Sequence, residues 1–430
     1  MSEPRPSSDH NGTRPEDFRH LVTVLDLVRS GRATTRPELT RRSGLGRTVI
    51  NQRVAQLARH GLVEEGDLAQ STGGRAARQL RFRADGGLVL VAELGATSLT
   101  IGATNLAGEV VEFHDETCDI ADGPDAVLGR VEALFHEILD KIGARSADVW
   151  GIGIGLPGPV EFATGRPIAP PIMPGWDGYP VRDRLGGAFD APVWVDNEVN
   201  LMALGEVRAG SGSQHDDILY VKIGTGIGAG LVSGGRLHRG RQGCAGDIGH
   251  AAVLDDESIV CRCGNTGCLE AVAAGAALAR DGTRAAETGR SSVLAEALRD
   301  RGRIEASDVV HAATRGDRTA VELLVTAAHH IGTLLATLVS FYNPSLVIIG
   351  GGVAKAGDLL LATIRQNVYQ RSLPLATREL RIEQSTLHDR AGLTGAAFMV
   401  LDELFTPARL AQWLHATTPH GIPALADTTA

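Results

Sequence analysis

Apolar residues set the first rhythm of the chain. Phe18, Leu21, Val22, Leu25 and Val28 recur at helical spacing, which predicts a first helix closed by Gly31. Thr35-Arg36-Pro37-Glu38 opens a second helix with a cap-like Thr and an early Pro, and Gly44 ends it. After the tight turn at Ser43-Gly44-Leu45-Gly46, Val49, Ile50, Val54 and Leu57 mark the apolar side of a third helix, Arg47 to His60. This is a helix-turn-helix pattern. The polar side of the third helix presents Arg47, Thr48, Asn51, Gln52 and Arg53, side chains able to bond base edges or phosphates. A strand beginning at Gly61 to Glu65, a return strand at Leu80 to Phe82 and the loop Ser71 to Arg75 form a wing, with Arg75 and Arg78 placed to reach a minor groove. A helical protein-interaction module is the alternative. Three helices, a wing and local positive charge together favour DNA.

The pattern then changes period. A boundary near Ala84 to Gly87 is followed by β-rich runs at Leu88 to Leu94, Leu99 to Thr104 and Val110 to Phe113, and by a helix from Asp125 to Ile142. It restarts at Ile218 to Ile223, Ala229 to Val232 and a strand near Ala251 to Leu254. Two β-meander-plus-helix halves suggest a duplicated, actin-like α/β architecture. The expected division is a Pro/Ser/Asn/Gly-rich disordered tail at 1–14, a winged head at 15–85, a two-lobed body at 86–405 and a C-terminal tail at 406–430 with no assigned role.

At 430 residues the chain suits two or three domains, and 53 glycines with 43% hydrophobic residues fit a Gly-rich α/β fold rather than a disordered chain. No stretch approaches 20 uninterrupted apolar residues, so a soluble, cytoplasmic protein without a membrane partner is expected. The net charge of -9 argues against nucleic-acid binding over the whole surface. The charge is unevenly spread, however: residues 1–85 hold 15 Arg against 10 acidic residues. A basic head on an acidic body results, which suits DNA contact at the head alone.

Three of the five cysteines fall within eight residues, in the run GHAAVLDDESIVCRCGNTGC. His250, Cys261, Cys263 and Cys268 supply the N/S donor set of tetrahedral zinc and leave no position for a catalytic water, so a structural Zn2+ is expected. Buried or redox cysteines are the alternative. Asp247 and Glu270 flank the ligands, which suits bonding to the hydroxyls of a polyol, although exposed acids beside a zinc loop fit the residues equally well. Upstream, Val195-Asp196-Asn197-Glu198-Val199-Asn200 follows a β-like stretch and is either a ligand site at a strand end or a helix cap. Three glycine-rich turns, carrying Gly95 and Thr97, Gly224, Thr225 and Gly226, and Gly351 and Gly352, are either phosphate cradles or plain tight turns.

In order, the segments ELGAT, GIGIGLPGPV, VDNEVN, IGTGIGAGLV, AGDIGH, CRCGNTGCLE and NPSLVIIGGGV resemble the ROK family of bacterial sugar kinases and sugar-responsive repressors, over about residues 18 to 400. The resemblance implies a winged helix-turn-helix followed by a duplicated actin-like ATPase (ribonuclease H-like) sugar-kinase fold, a zinc-stabilised sugar site, and a homodimer or homotetramer. By position it places Asn197, Glu198, Asp247, His250 and Glu270 on the sugar, with His250 also serving zinc. The family's phosphoryl transfer uses an aspartate general base where this chain has Glu198. Its first phosphate loop reads Asp-x-Gly-Gly-Thr-Lys where this chain has Glu93, Leu94, Gly95, Ala96, Thr97 and Ser98. An extra methylene moves a carboxylate by about 1.5 Å, and a misplacement of about 1 Å can cost roughly a hundredfold in rate.

The reading that results is a transcriptional regulator, usually a repressor, that binds operator DNA through its head and a sugar or sugar derivative in a degenerate, non-catalytic kinase cleft. A working ATP-dependent sugar kinase carrying a DNA-binding head is the alternative, because the later glycine turns persist. A regulator whose pocket is a fossil is the third.

Overall fold

The computed structural model describes residues 15–68 and 77–427. The segment 1–14 and the wing residue Arg75, singled out from the sequence, lie outside the described residues. The head consists of α1 (Pro15–Arg29), α2 (Arg36–Ser43) and α3 (Arg47–Arg59), then β1 (Val63–Leu68) and β2 (Arg78–Phe82), which pair antiparallel. Thr35 caps α2 by accepting the Glu38 amide, and Gly44 stops that helix at a φ of 71°, where a Cβ is disfavoured.

The body begins with β3 (Leu88–Leu94), β4 (Ser98–Asn105), β5 (Val110–Thr117), α4 (Pro124–Ile142) and β6 (Val149–Leu156). A short hairpin of β7 (Val160–Glu161) and β8 (Arg166–Pro167) leads to α5 (Val181–Phe189), β9 (Val193–Asn197) and α6 (Glu198–Ala209). The sheet order is β5-β4-β3-β6-β9, antiparallel through β3 and parallel from β3 onward. Every residue of β6 is buried, as a parallel strand covered on both faces requires.

The second lobe repeats this plan. It contains β10 (Ile218–Ile223), β11 (Ile227–Ser233), β12 (Arg236–His238), α7 (Leu269–Ala273), α8 (Gly275–Glu287), α9 (Ser292–Arg301), α10 (Ala306–Thr314), α11 (Arg318–Tyr342), β13 (Leu346–Gly350), α12 (Asp358–Arg371), α13 (Pro374–Thr377) and β14 (Arg381–Gln384). Its order, β12-β11-β10-β13-β14, matches the first sheet strand for strand in sense. The third strand is Arg236–His238 and not the expected Ala251 to Leu254. That stretch belongs to the cysteine loop, where Ala252 makes an isolated bridge to Cys268 and Gly267 accepts the Val253 amide. Helix α11 is long and apolar enough to span a membrane by composition, but it buries Leu324, Ile331, Leu335 and Val339 in the lobe's core.

Two last helices tie head to body. α14 (Ala391–Leu404) crosses α6 at close range: a Cβ on Gly395 would sit 1.7 Å from the Leu201 carbonyl oxygen, and one on Gly205 would sit 2.2 Å from that of Ala391. The segment after residue 405, left without a role by the sequence, forms α15 (Pro407–Trp413) and wedges between the head and the first lobe. Trp413 is fully buried, its indole donates to the Leu404 carbonyl at 2.9 Å, and its ring lies 5.2 Å from Trp150. Phe405 meets Phe82 of the head edge-on at 6.2 Å. Leu25 and Leu57 of the head therefore share one hydrophobic core with Trp150, Leu404 and Trp413 of the body.

Candidate ligand cleft and metal centre

A cleft of about 1230 Å³ opens between the two lobes. Most of the residues that the sequence singled out line it: Gly95, Thr97, Asn197, Glu198, Gly224, Thr225, Gly226, Asp247, His250, Glu270 and Gly352. Gly351 does not line it. It tucks beneath, at a φ of 89°, with no room for a Cβ against Ile223.

Asn197 stands at the end of β9 and caps α6, so the helix-cap reading of it holds, and the same residue lines the cleft. Its Oδ1 caps the helix by accepting the Val199 amide at 2.9 Å, while Nδ2 donates to the Gly158 carbonyl at 3.0 Å, which fixes the side chain at the cleft wall. Glu198, in the first helical turn, is buried. Its Oε2 is buried and lies 2.6 Å from Lys222 Nζ on β10, so the carboxylate and the amine form a close ion pair beside the cleft.

Lys222 is the residue that sequence reasoning missed. A lone lysine inside the apolar strand ILYVKI was the available signal, because a strand buries such a charge only against a partner. Burial opposes the charge, but the Glu198 carboxylate, joined by Glu93 once that group ionises, outweighs it and holds the amine protonated, above its usual range. Glu93 is partly buried below the first glycine turn, with one carboxylate oxygen shut off from solvent, and desolvation pushes its carboxyl up to about 8 against the pull of Lys222. At neutral pH Glu93 keeps its proton, so the ion pair is essentially Lys222 with Glu198.

Across the cleft the cysteine loop gathers its four candidate ligands. The donor atoms of His250, Cys261, Cys263 and Cys268 all lie within 4.8 Å of one another, with Cys263 Sγ 3.8 Å from Cys268 Sγ and His250 Nδ1 3.6 Å from Cys261 Sγ. Ligands held at about 2.3 Å around a tetrahedral centre are about 3.8 Å apart, so the set fits a metal ion. With Nδ1 turned to the thiols, His250 Nε2 faces the Asp247 carboxylate at 4.0 Å. The centre can thus hold the imidazole while the opposite nitrogen serves the cleft. Glu270 is fixed from both sides, accepting the Ile227 amide at 3.2 Å and pairing with Arg262 at 3.1 Å.

The glycine turns spend much of their bonding capacity on themselves. The Gly95 amide donates to the Ser98 carbonyl at 2.7 Å and the Gly224 amide to that of Gly226 at 2.9 Å. The first amides of α8, Gly275 and Ala276, donate to the carbonyls of Gly224 and Thr225.

On the head, Arg47, Thr48, Asn51 and Gln52 form an exposed polar face on α3, and Arg78 is exposed on β2. Arg53, grouped with them from the sequence, is turned inward. Its guanidinium pairs with Asp17 of α1 and bonds Gln56 at 3.1 Å, bracing α3 against α1.

The model of the ROK family matches residues 89–403. The chain belongs to the ROK family. Its expected fold, an actin-like α/β body behind an N-terminal helical region, is the one observed. The ROK chain is 30% identical over 392 residues to a protein named xylose repressor from Caldicellulosiruptor bescii, covering 90% of this chain and 96% of that one. It also resembles the crystal structure of a ROK family transcriptional regulator, a homolog of the E. coli MLC protein, with a TM-score of 0.79, 26% identity and coverage of 93% and 99%. A ROK family glucokinase from Streptomyces griseus, solved with glucose and AMPPNP, superposes with a TM-score of 0.64 at 30% identity, but over 73% of this chain and 99% of its own. The regulators thus cover the head as well as the body, whereas the kinase match covers a share close to that of the body alone.

Proposed function

We propose that this ROK protein is a sugar-responsive transcriptional regulator, in which the α3 face reads operator DNA and a sugar held in the cleft sets operator affinity. The observation that carries the reading is the shared core. The head is built into the same hydrophobic cluster as α14, and α14 crosses α6, whose first turn holds Glu198 in the cleft. A ligand that favours one packing of α6 on α14 therefore bears on the head, and it can shift DNA binding only by its differential affinity for the two packings.

Arg47, Thr48, Asn51 and Gln52 would contact bases or phosphates together with Arg78; Arg53 drops out of that set as a brace. In the cleft, the Glu198, Asp247 and Glu270 carboxylates would accept hydrogen bonds from sugar hydroxyls, and Asn197 and His250 Nε2 would complete the ring of polar groups. His250 Nδ1 and the three cysteine thiolates would hold zinc, which preorganises this wall of the cleft and leaves no open coordination position. The protein acts in the cytoplasm as a homodimer or homotetramer, since winged-helix regulators commonly read paired half-sites.

The kinase alternative is disfavoured by Glu198 itself. A general base must reach the hydroxyl it deprotonates, and the Glu198 carboxylate, which stands where the family has the shorter aspartate, is already engaged by Lys222 at 2.6 Å. Two measurements test the reading: fluorescence anisotropy of the protein on DNA selected from a random-sequence pool, titrated with free sugars, and coupled ADP release over the same sugars. Operator affinity is expected to move by about 5- to 150-fold with no turnover. Turnover above about 1 s⁻¹ would overturn it, as would operator affinity that no sugar changes.

A further inference from the structure

Resting on that reading of the cleft, we propose that Arg239 is a positioning residue for the bound sugar: from behind the cleft wall it ties the strap that carries Asp247 to the strand end that carries Asn197. Arg239 follows β12 in the second lobe and is not itself among the residues that line the cleft. The strap runs from Arg239 to Gly246 and delivers Asp247, whose side chain is exposed, to the cleft.

The partner of Arg239 lies in the other lobe. Asp196 precedes Asn197 on β9 and is 1% exposed. Its Oδ1 accepts the Asn197 amide at 2.7 Å and Asn200 Nδ2 at 2.9 Å, which holds the turn into α6. Its Oδ2 accepts Arg239 Nε at 2.7 Å. A buried carboxylate needs a compensating charge as well as hydrogen bonds, and Arg239 supplies it. The guanidinium also lies 3.8 Å over the ring of Phe162, which follows β7, so the tie to the first lobe is made twice.

The strap is held along its length. The Arg239 carbonyl accepts the Ala245 amide at 3.2 Å, which closes the strap on itself. Gly243, at a φ of 87°, approaches β7 so closely that a Cβ would sit 2.3 Å from the Val160 carbonyl oxygen. The Gly246 carbonyl accepts the Ala229 amide of β11 at 2.8 Å. Asp196, Arg239 and Ala245 thus form an unbroken link from Asn197 to a point two residues before Asp247. Hydrogen bonds need donor–acceptor distances of about 2.7–3.2 Å, so a ligand that bonds Asn197 and Asp247 at once binds well only while this link keeps their span. Glu270 is fixed differently, by the Ile227 amide and Arg262, through bonds that involve neither Asp196 nor Arg239.

The test is a double-mutant comparison, read by calorimetric titration of the full-length, zinc-loaded protein with free xylose, glucose and N-acetylmannosamine. In the otherwise wild-type protein, Asp247→Asn should weaken the best-bound sugar by about tenfold or more. In an Arg239→Met background the same substitution should weaken it only about twofold, because Asp247 is already out of place, whereas the effect of Glu270→Gln should be the same in both backgrounds. Arg239→Lys keeps a charge beside Asp196 but loses the planar fork over Phe162, so the effect of Asp247→Asn in it should fall between the two. Should Arg239→Met not fold, because it leaves Asp196 buried without a cation, the lysine background decides. Zinc content should match the wild type in every folded variant. A merely structural Arg239 would lower the melting temperature and leave the effect of Asp247→Asn equal in every background, which would overturn the proposal and leave the sugar reading intact. An effect of Glu270→Gln that shrinks in step with that of Asp247→Asn would overturn it as well. Binding of none of the three sugars by the wild type would remove the reading and the proposal together.

Discussion

Arg29 of the head lies 3.6 Å from the Asp402 carboxylate of the body. The same carboxylate bonds Arg208 at the far end of α6, the helix whose first turn carries Glu198. The cleft helix and the head thus share one acceptor. Arg29 also lies over the Phe405 ring at 5.5 Å, so its guanidinium is held between the two units. Partly exposed ion pairs are worth about 0–1 kcal/mol each, so Asp402→Asn should reduce sugar-to-operator coupling by about fivefold, not abolish it. Sugar affinity and zinc content should stay as in the wild type. Anisotropy with and without sugar checks this, and an unchanged ratio of operator affinities would show that the coupling runs through the apolar seam alone.

On the head, Arg47→Ala should cost about 1–3 kcal/mol of operator binding and relax sequence preference. Arg53→Gln should behave differently. Because Arg53 pairs with Asp17 inside the head, its loss should lower the melting temperature while specificity, once folded, is retained. Competition between operator and random DNA separates the two. Equal loss of specificity in both variants would return Arg53 to the reading face.

The residues that were legible in the sequence are those whose chemistry is local. Helix caps at Thr35 and Gly44, the cysteine spacing and the period-2 runs of the first lobe each announce themselves within a few positions. The repeat of one sheet plan was visible, yet its third strand was misplaced, because the three residues Arg236–His238 are too short to show alternation. Lys222 and Glu198 are brought together by the packing of α6 against β10, a relationship that no local spacing carries. Arg53 had the right face of the right helix, and only the position of Asp17 on α1 turns it inward. The C-terminal wedge was illegible for the same reason: Trp413 is apolar without period, and what it packs on lies in Trp150 and the head.

Removing the metal should unfold one wall of the cleft. Cys263→Ser or Cys268→Ser takes away one of four candidate ligands, and at a closed metal site binding energy is also folding energy. Metal content by elemental analysis should fall, the melting temperature should drop, and sugar affinity should be lost with them. Full metal content with unchanged melting in both variants would exclude a structural metal at these residues.

The last prediction concerns pH. Glu93 keeps its proton in the folded protein because burial raises its carboxyl to about 8, whereas in the unfolded chain it ionises near 4.5. The sign follows: below about 4.5 both states hold the proton and Glu93 costs nothing, and as pH rises through that value the unfolded state gains by ionising. The cost grows until the folded carboxyl ionises near 8, and is constant above that. The wild type should therefore lose stability between about pH 5 and 8 relative to Glu93→Gln, which keeps the shape and cannot ionise. Melting curves of the two proteins at pH 5 and 8.5 should lie close at the first and diverge by several degrees at the second, with the glutamine variant the more stable. Parallel curves across that range would mean that Glu93 is ionised in the folded state and shares Lys222 with Glu198.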